Sequence, residues 1–282
     1  MTSQVAVVTD STAYLPEQVA TDLGVRVVPL HVALGSRSGA EGVDVSPADV
    51  ASALAGRGAS VTTSRPAPSD FAAAYRAAGV TCVVSVHLSS QLSGTYDAAQ
   101  LAAKEVAEEG IEVRVVDSAT VAMGLGFAVM AAAEQAAAGA TVDAVQQRAT
   151  DAAAATSTLF YVDTLEHLRR GGRIGAAAAL VGTALAVKPL LHVVDGRIAP
   201  LEKVRTASKA LARLEDLAVE RAGAAEVDIA VHHLAAADKA GLLADRLRAR
   251  LPGLRLLHVS EVGAVVGAHV GPGLLGVVVA LR

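Results

Sequence analysis

Residues 80–100 read VTCVVSVHLSSQLSGTYDAAQ, and this stretch decides the fold. Its first seven residues, Val80–Val86, are mostly apolar and β-branched, a run of the length that suits a buried strand. From Thr95 an alanine-rich segment of helical character continues to Glu108. Between them lies LSSQLSGT (Leu88–Thr95), crowded with hydroxyls and holding neither Lys nor Arg. A strand that feeds a helix through a polar loop is the repeating half of a parallel α/β sheet. Hydroxyls and backbone N–H groups at a helix start also make a place for an anion.

The same alternation extends both ways along the chain. Upstream, Val5–Asp10 reads as a strand, Pro16–Leu23 as a helix, VRVVPLHV (Val25–Val32) as a strand and Ser46–Leu54 as a helix capped by Ser46. Ser69–Ala78 is the helix before the quoted strand. Downstream come the strand Ile111–Asp117, the helices Val121–Ala138 and Thr141–Ala155, and TLFYV (Thr158–Val162). This predicts a first α/β lobe, residues 1–160, whose mainly parallel sheet is flanked by helices on both faces.

Near Asp163 the character changes. A short basic helix stops at Gly171–Gly172, an apolar helix runs up to Lys188–Pro189, and Asp195-Gly196 between apolar runs signals a two-residue hairpin. Helices at Thr206–Ala222 and Ala237–Leu251, with strands at 227–234, 254–260 and 276–281, complete a second α/β lobe, residues 161–282, built on a mixed sheet. A cleft between lobes is the expected binding place. Val262–Leu281 is nearly uncharged and has membrane-type GxxxG spacing at Gly263, Gly267 and Gly271, but Pro272 interrupts it. Two short buried strands joined by a glycine-rich loop are the better reading.

Composition narrows the function. The chain is 52% hydrophobic but only 2% aromatic, without Trp, so Ala, Val and Leu must fill its interior. A net charge of −4 supplies no field for nucleic acid, and none is expected as a partner. The single cysteine, Cys82, excludes an intrachain disulfide and reads as a small buried hydrophobe. The opening MTSQVAVVTD has no basic region ahead of an apolar run, and a cytoplasmic location is expected.

GPGLLG (Gly271–Gly276) matches the dinucleotide-binding spacing, but the chain ends six residues later, with no room for the helix and acidic residue that must follow. No phosphate-binding GxxxxGK[ST] loop and no GxSxG elbow is present. His232, His233 and Asp238 could suggest a metal, yet adjacent strand residues face opposite ways, and a solvated strand end is the favoured reading. Neither metal nor cofactor is expected. Asp10 and Ser11, and again Asp117 and Ser118, close strands where ligands of parallel sheets gather, though helix capping explains them equally well. Three polar elements remain: TTSRP (Thr62–Pro66), with Thr63 and Ser64 at a turn; SSQLSGTY, where Gly94 permits close backbone approach; and GAHVGPG, which offers His269 from a glycine-rich turn. Taken singly, each has a bland explanation as a turn, an N-cap or a core histidine.

Taken together and in order, these segments resemble the DegV family of bacterial fatty-acid-binding proteins. The resemblance rests on VTDSTAYLP, TSRPAPSDF, SSQLSGTY, VVDSATVAMGLG, DTLEHLRRGGRIG, KPLLHVVDGRIAPLEKVRT and HVGPGLLG, and runs nearly end to end. It implies two α/β lobes with one long-chain fatty acid between and within them. It further implies a binding subunit without catalytic activity of its own, which presents the carboxylate to a separate ATP-dependent fatty acid kinase subunit. The acyl phosphate formed there feeds phospholipid synthesis, and membrane contact is at most transient. By the same resemblance Thr63, Ser93 and His269 bind the carboxylate, Ser64 and Gly94 adjoin it, and Arg173 and Arg205 serve kinase docking or phosphotransfer. The alternatives are an acyl-handling hydrolase or transferase using Ser93 and His269, or a carrier or sensor without a kinase.

The physics suits the resemblance. A buried acyl tail contributes about 0.8 kcal/mol per methylene, so neutral donors need only orient the head. His269 is expected to change charge near neutral pH. One departure stands out, since Arg65 occupies the place of the family's usual Gln and Ala67 that of its Ser: the cation either pairs with the ligand head or points to solvent, and an exposed arginine is the favoured reading because Asp70 is within reach of a local pair.

Overall fold

The computed structural model describes residues 5–56, 60–180 and 188–282. The chain forms two compact units: the described residues of Met1–His31 with Ser64–Ala154, and those of Val32–Thr63 with Ala155–Arg282. The division therefore differs from a single cut after residue 160, because the segment 32–63 groups with the C-terminal half. Its helix, Pro47–Ala55, places Val50 beside Gly267 of the helix Ala264–Val270, and the buried Glu41 carboxylate accepts the Val265 N–H at 2.7 Å.

With strands numbered along the chain, the first unit is built on β1 (Val5–Asp10), β2 (Arg26–Val28), β6 (Cys82–His87) and β7 (Glu112–Asp117). They are ordered β2-β1-β6-β7 and all parallel. The period-two pattern supplies both faces. Val5, Val7, Val84 and Val86 pack with Leu125 and Val129 of the helix Met123–Ala137, whereas Val8 and Val83 pack with Phe71, Tyr75 and Ala99 of the helices Pro68–Ala77 and Thr95–Ala107. Alanine lets these helices lie close to the sheet, and Gly126 approaches the Ala13 carbonyl so nearly that a Cβ would collide with it. VRVVPLHV is two strands rather than one: β2 stops before Pro29, and the chain resumes as β3 (His31–Leu34) in another sheet. Proline has no N–H to continue the ladder.

The second unit holds a six-stranded mixed sheet of β8 (Thr156–Tyr161), β9 (Lys188–Val194), β10 (Arg197–Val204), β11 (Val227–His233), β12 (Leu254–Glu261) and β13 (Leu275–Leu281), ordered β10-β9-β8-β13-β11-β12. Only the β11/β12 pair is parallel. Leu214, Leu217, Leu243 and Leu247, from the helices Ala207–Ala222 and Ala237–Arg250, close the core over this sheet. The hairpin signal is realised, with Asp195 and Gly196 at φ 50° and 74°. A smaller sheet, β4-β3-β5, adds β4 (Arg37–Ala40) and β5 (Val61–Ser64).

Two further expectations fail. Val262–Leu281 is not a pair of strands, because the helix Ala264–Val270 precedes β13, its N-terminus satisfied by Glu41 and its end set by Gly271 at φ 75°. The apolar helix expected before Lys188 is, over Gly175–Leu180, a run of 3₁₀ turns, and its remainder falls in 181–187, outside the described residues. Among the described residues no helix is long and apolar enough to cross a membrane.

Candidate ligand-binding site

In the first unit the loop after β6 is held almost amide by amide. Leu88 N–H is accepted by Asp10 at 3.0 Å, Ser89 N–H by the Thr120 carbonyl at 2.8 Å, and Ser90 N–H by Asp117 at 3.2 Å. Gln91 N–H goes to Ser89 Oγ at 3.1 Å, and Leu92 and Ser93 N–H go to the Ser89 carbonyl at 3.0 and 3.1 Å. Thr95 N–H goes to Ser93 Oγ at 3.3 Å. From Leu88 to Thr95 only the Gly94 N–H has no acceptor among the described residues. It sits beside the Ser93 hydroxyl, which lies 2.9 Å from Thr95 Oγ1. With the threonine donating, Ser93 keeps its own proton for an incoming acceptor.

This order is imposed by carboxylates at two strand ends. Asp10, fully buried, accepts Thr12 N–H at 3.0 Å, Thr12 Oγ1–H at 2.5 Å, Leu88 N–H and His87 Nδ1–H, the last two at 3.0 Å. The chain of donors continues inward, with Ser85 Oγ 2.7 Å from His87 Nε2 and Tyr75 O–H donating to Ser85 Oγ at 2.9 Å. With Nδ1–H donating to Asp10 and Nε2 accepting from Ser85, every member of it is satisfied. Burial raises the Tyr75 hydroxyl well above its ordinary pKa. Ser85, His87 and Asp10 share the connectivity of a hydrolytic triad, but all three are fully buried, and substrate cannot reach them. Asp117 repeats the Asp10 pattern at the end of β7, accepting Ala119 N–H at 2.9 Å.

In the second unit Thr63, in β5, meets His269, one residue from the end of Ala264–Val270, with Oγ1 2.9 Å from Nε2. His269 Nδ1 is buried and has no hydrogen-bond partner among the described residues. The tautomer that strands no buried N–H carries its proton on Nε2, so Thr63 Oγ1 accepts it and keeps a hydroxyl proton to donate. Burial, then the charge of Arg173, lowers the His269 pKa to about 4. The expected charge change near neutral pH is thereby corrected: the ring is already neutral there. Gly171 makes room for it, since a Cβ at that position would strike His269 Nδ1.

The structure thus joins Thr63 with His269 and brings Arg173 to them, half-buried, with Nη1 donating to the Gly171 carbonyl at 2.6 Å. Ser93 and Gly94 form a separate element in the other unit. Thr63 and Ser64 lie in strand β5, not at a turn, and Ser64 is exposed. His269 is on a helix, not in a glycine-rich turn. Arg205 is exposed at the bend after β10 and is not drawn into either polar element. His232 and His233 are buried rather than solvated; His232 Nδ1 lies 3.1 Å from Ser260 Oγ, while Asp238 is on the surface. Among the described residues no group of three or more His, Cys, Asp or Glu could hold a metal ion.

The contributions of His87 and Glu41 were not apparent from sequence. A histidine closing an otherwise apolar strand, next to a strand that ends in aspartate, was the available signal for the first. Glu41 lies 224 positions from the helix it caps and gave none.

Fold and site define an α/β protein of two units whose candidate binding groups are uncharged hydroxyls, an amide N–H and a neutral imidazole. The chain belongs to the DegV family: the family model described as "Uncharacterised protein, DegV family" matches residues 4–282. It is 61% identical, over 100% of both chains, to a DegV domain-containing protein of Streptomyces coelicolor. Among solved structures it resembles the fatty-acid-binding DegV family protein of Thermus thermophilus, at 34% identity, TM-score 0.92 and 99% coverage of each chain. It also resembles DegV, a fatty acid binding protein from Bacillus subtilis, at 32% identity, TM-score 0.90 and 99% coverage of each chain.

Proposed function

We propose that this protein binds one long-chain fatty acid and that Thr63, Ser93 and His269 receive its carboxylate, with Ser64 and the Gly94 N–H beside it. The observation that carries the reading is that Thr63 Oγ1 lies 2.9 Å from His269 Nε2 and Ser93 Oγ 2.9 Å from Thr95 Oγ1, contacts in which each hydroxyl can accept and keep its own proton to donate. The fatty acid binding of the Thermus thermophilus and Bacillus subtilis relatives supports it. Tail burial at about 0.8 kcal/mol per methylene supplies the affinity, and the hydroxyls orient the head.

The protein is then a carrier of cargo, not a catalyst. Uncharged donors leave the carboxylate nucleophilic, so a separate ATP-dependent kinase subunit can transfer a phosphoryl group to it: a carboxylate oxygen bonds to the γ-phosphorus, the bond to the β-phosphate oxygen breaks, and ADP leaves. Arg173 and Arg205 are the arginines this reading assigns to docking or phosphotransfer. A hydrolase is less well supported, because Ser93 Oγ is engaged with Thr95 and His269 Nε2 with Thr63. Native mass spectrometry of the purified protein, followed by denaturing extraction and lipid analysis, tests the reading. A stoichiometric long-chain fatty acid is expected; a chain that stays empty after incubation with free fatty acids would overturn it.

A further inference from the structure

Among the described residues Arg65 is a cation with no carboxylate within ion-pair distance. Among the described residues its one polar contact is a long one, Nη1 to the Gly94 carbonyl at 3.4 Å. The guanidinium lies over Gly94 so closely that a Cβ there would overlap Nη1. Asp70, the expected local partner, is turned away: its carboxylate accepts the Ala67 N–H at 2.8 Å, at the start of the helix Pro68–Ala77. The contrast with other arginines is sharp, since Arg76, Arg213 and Arg250 each bridge two acidic side chains.

Arg65 therefore carries an exposed fork of N–H donors, nearly all unspent, on the residue whose own N–H lacks an acceptor and whose neighbour is Ser93. We infer that Arg65 is the charge-selecting residue of the head site, adding a solvated cation to the Ser93–Gly94 donors so that an ionised carboxylate is preferred to an uncharged head. This inference rests on the fatty-acid reading and deepens it. Being exposed, the cation attracts without burying the head in a permanent ion pair, and its contribution is screened by salt. Glycine at 94 is what lets the guanidinium lie there.

The test is titration of palmitic acid and of hexadecanol into the wild-type protein and into Arg65→Gln and Arg65→Lys, at low salt and at about 1 M salt, where the screening length falls to about 3 Å. Arg65→Gln is expected to bind palmitic acid about three- to fivefold more weakly at low salt, with a flattened salt dependence. Arg65→Lys should keep the salt dependence at intermediate affinity. Hexadecanol binding should be unmoved by either variant or by salt, which separates a lost head contact from a damaged fold. Equal palmitic acid affinity and equal salt dependence in wild type and Arg65→Gln overturn the inference and leave the fatty-acid reading standing. Failure of the wild-type protein to bind either ligand removes both.

Discussion

The loop Leu88–Thr95 and the Thr63–His269 pair present the same chemical group, a hydroxyl with a proton to give, but prepare it in opposite ways. The loop is tied by carboxylates: Asp10 and Asp117 accept its amides, and all but one N–H has an acceptor among the described residues. The pair is tied by a buried neutral ring with one nitrogen unsatisfied. Satisfying every backbone donor fixes a loop through enthalpy distributed over many bonds. Burying an imidazole fixes a single hydroxyl by making the charged alternative costly. The first device should fail by unfolding and the second by protonation.

The largest effect should come from breaking the first device. Asp10→Ala strands Leu88 N–H, Thr12 N–H and the His87 ring in a buried site and is expected to cost about 3–5 kcal/mol in urea denaturation. Asp117→Ala, half-buried and holding the Ser90 N–H at 3.2 Å, should cost only about 1 kcal/mol, and equal losses would mean that the two clamps are not graded by burial.

Acid should break the second device. His269, and likewise the buried His232, are brought from 6.5 down to about 4, so the unfolded chain binds more protons than the folded one between those values. Stability is then full above pH 6.5 and falls as pH drops toward 4, by a total on the order of 3 kcal/mol for each ring. Denaturation midpoints at a series of pH values should show this, and His269→Gln should remove its own share of the slope. A slope unchanged in that variant would show that the ring titrates normally.

Smaller effects sharpen the contrast. Glu41→Ala removes a carboxylate acceptor from the helix that carries His269 and should cost about 1–2 kcal/mol, read as a lowered melting midpoint. Ser64→Ala, at an exposed position in β5, should change stability by less than about 0.5 kcal/mol.

Much of this architecture was legible because strands and helices announce themselves by periodicity. VTCVVSV followed by a polar loop and an alanine-rich run is β6, the clamped loop and the helix Thr95–Ala107. Asp195-Gly196 is the hairpin it promised, because only certain residues tolerate two successive positive φ angles. What escaped notice depends on partners distant in sequence. AVVGAHV has glycine inside and no side-chain cap of its own, so nothing local marks it as a helix until Glu41 arrives from the other end of the chain. TTSRP looked like a turn because of its proline, yet Thr63 and Ser64 pair within a sheet whose other strands have weak local signals. Thr63, Ser93 and His269 could be named from the resemblance, but the state of each hydroxyl, and the neutrality of the imidazole, required the geometry around them.

The central claim is that two uncharged hydroxyls hold a carboxylate, and calorimetric titration of palmitic acid into the wild-type protein and the Thr63→Val/Ser93→Ala double variant tests it most directly. With each hydrogen bond to a charged group contributing about 1.5–3 kcal/mol, the double variant should bind about a hundredfold more weakly or worse while melting close to the wild type. Affinity within about twofold of the wild type, less than a single neutral hydrogen bond is worth, would contradict the account.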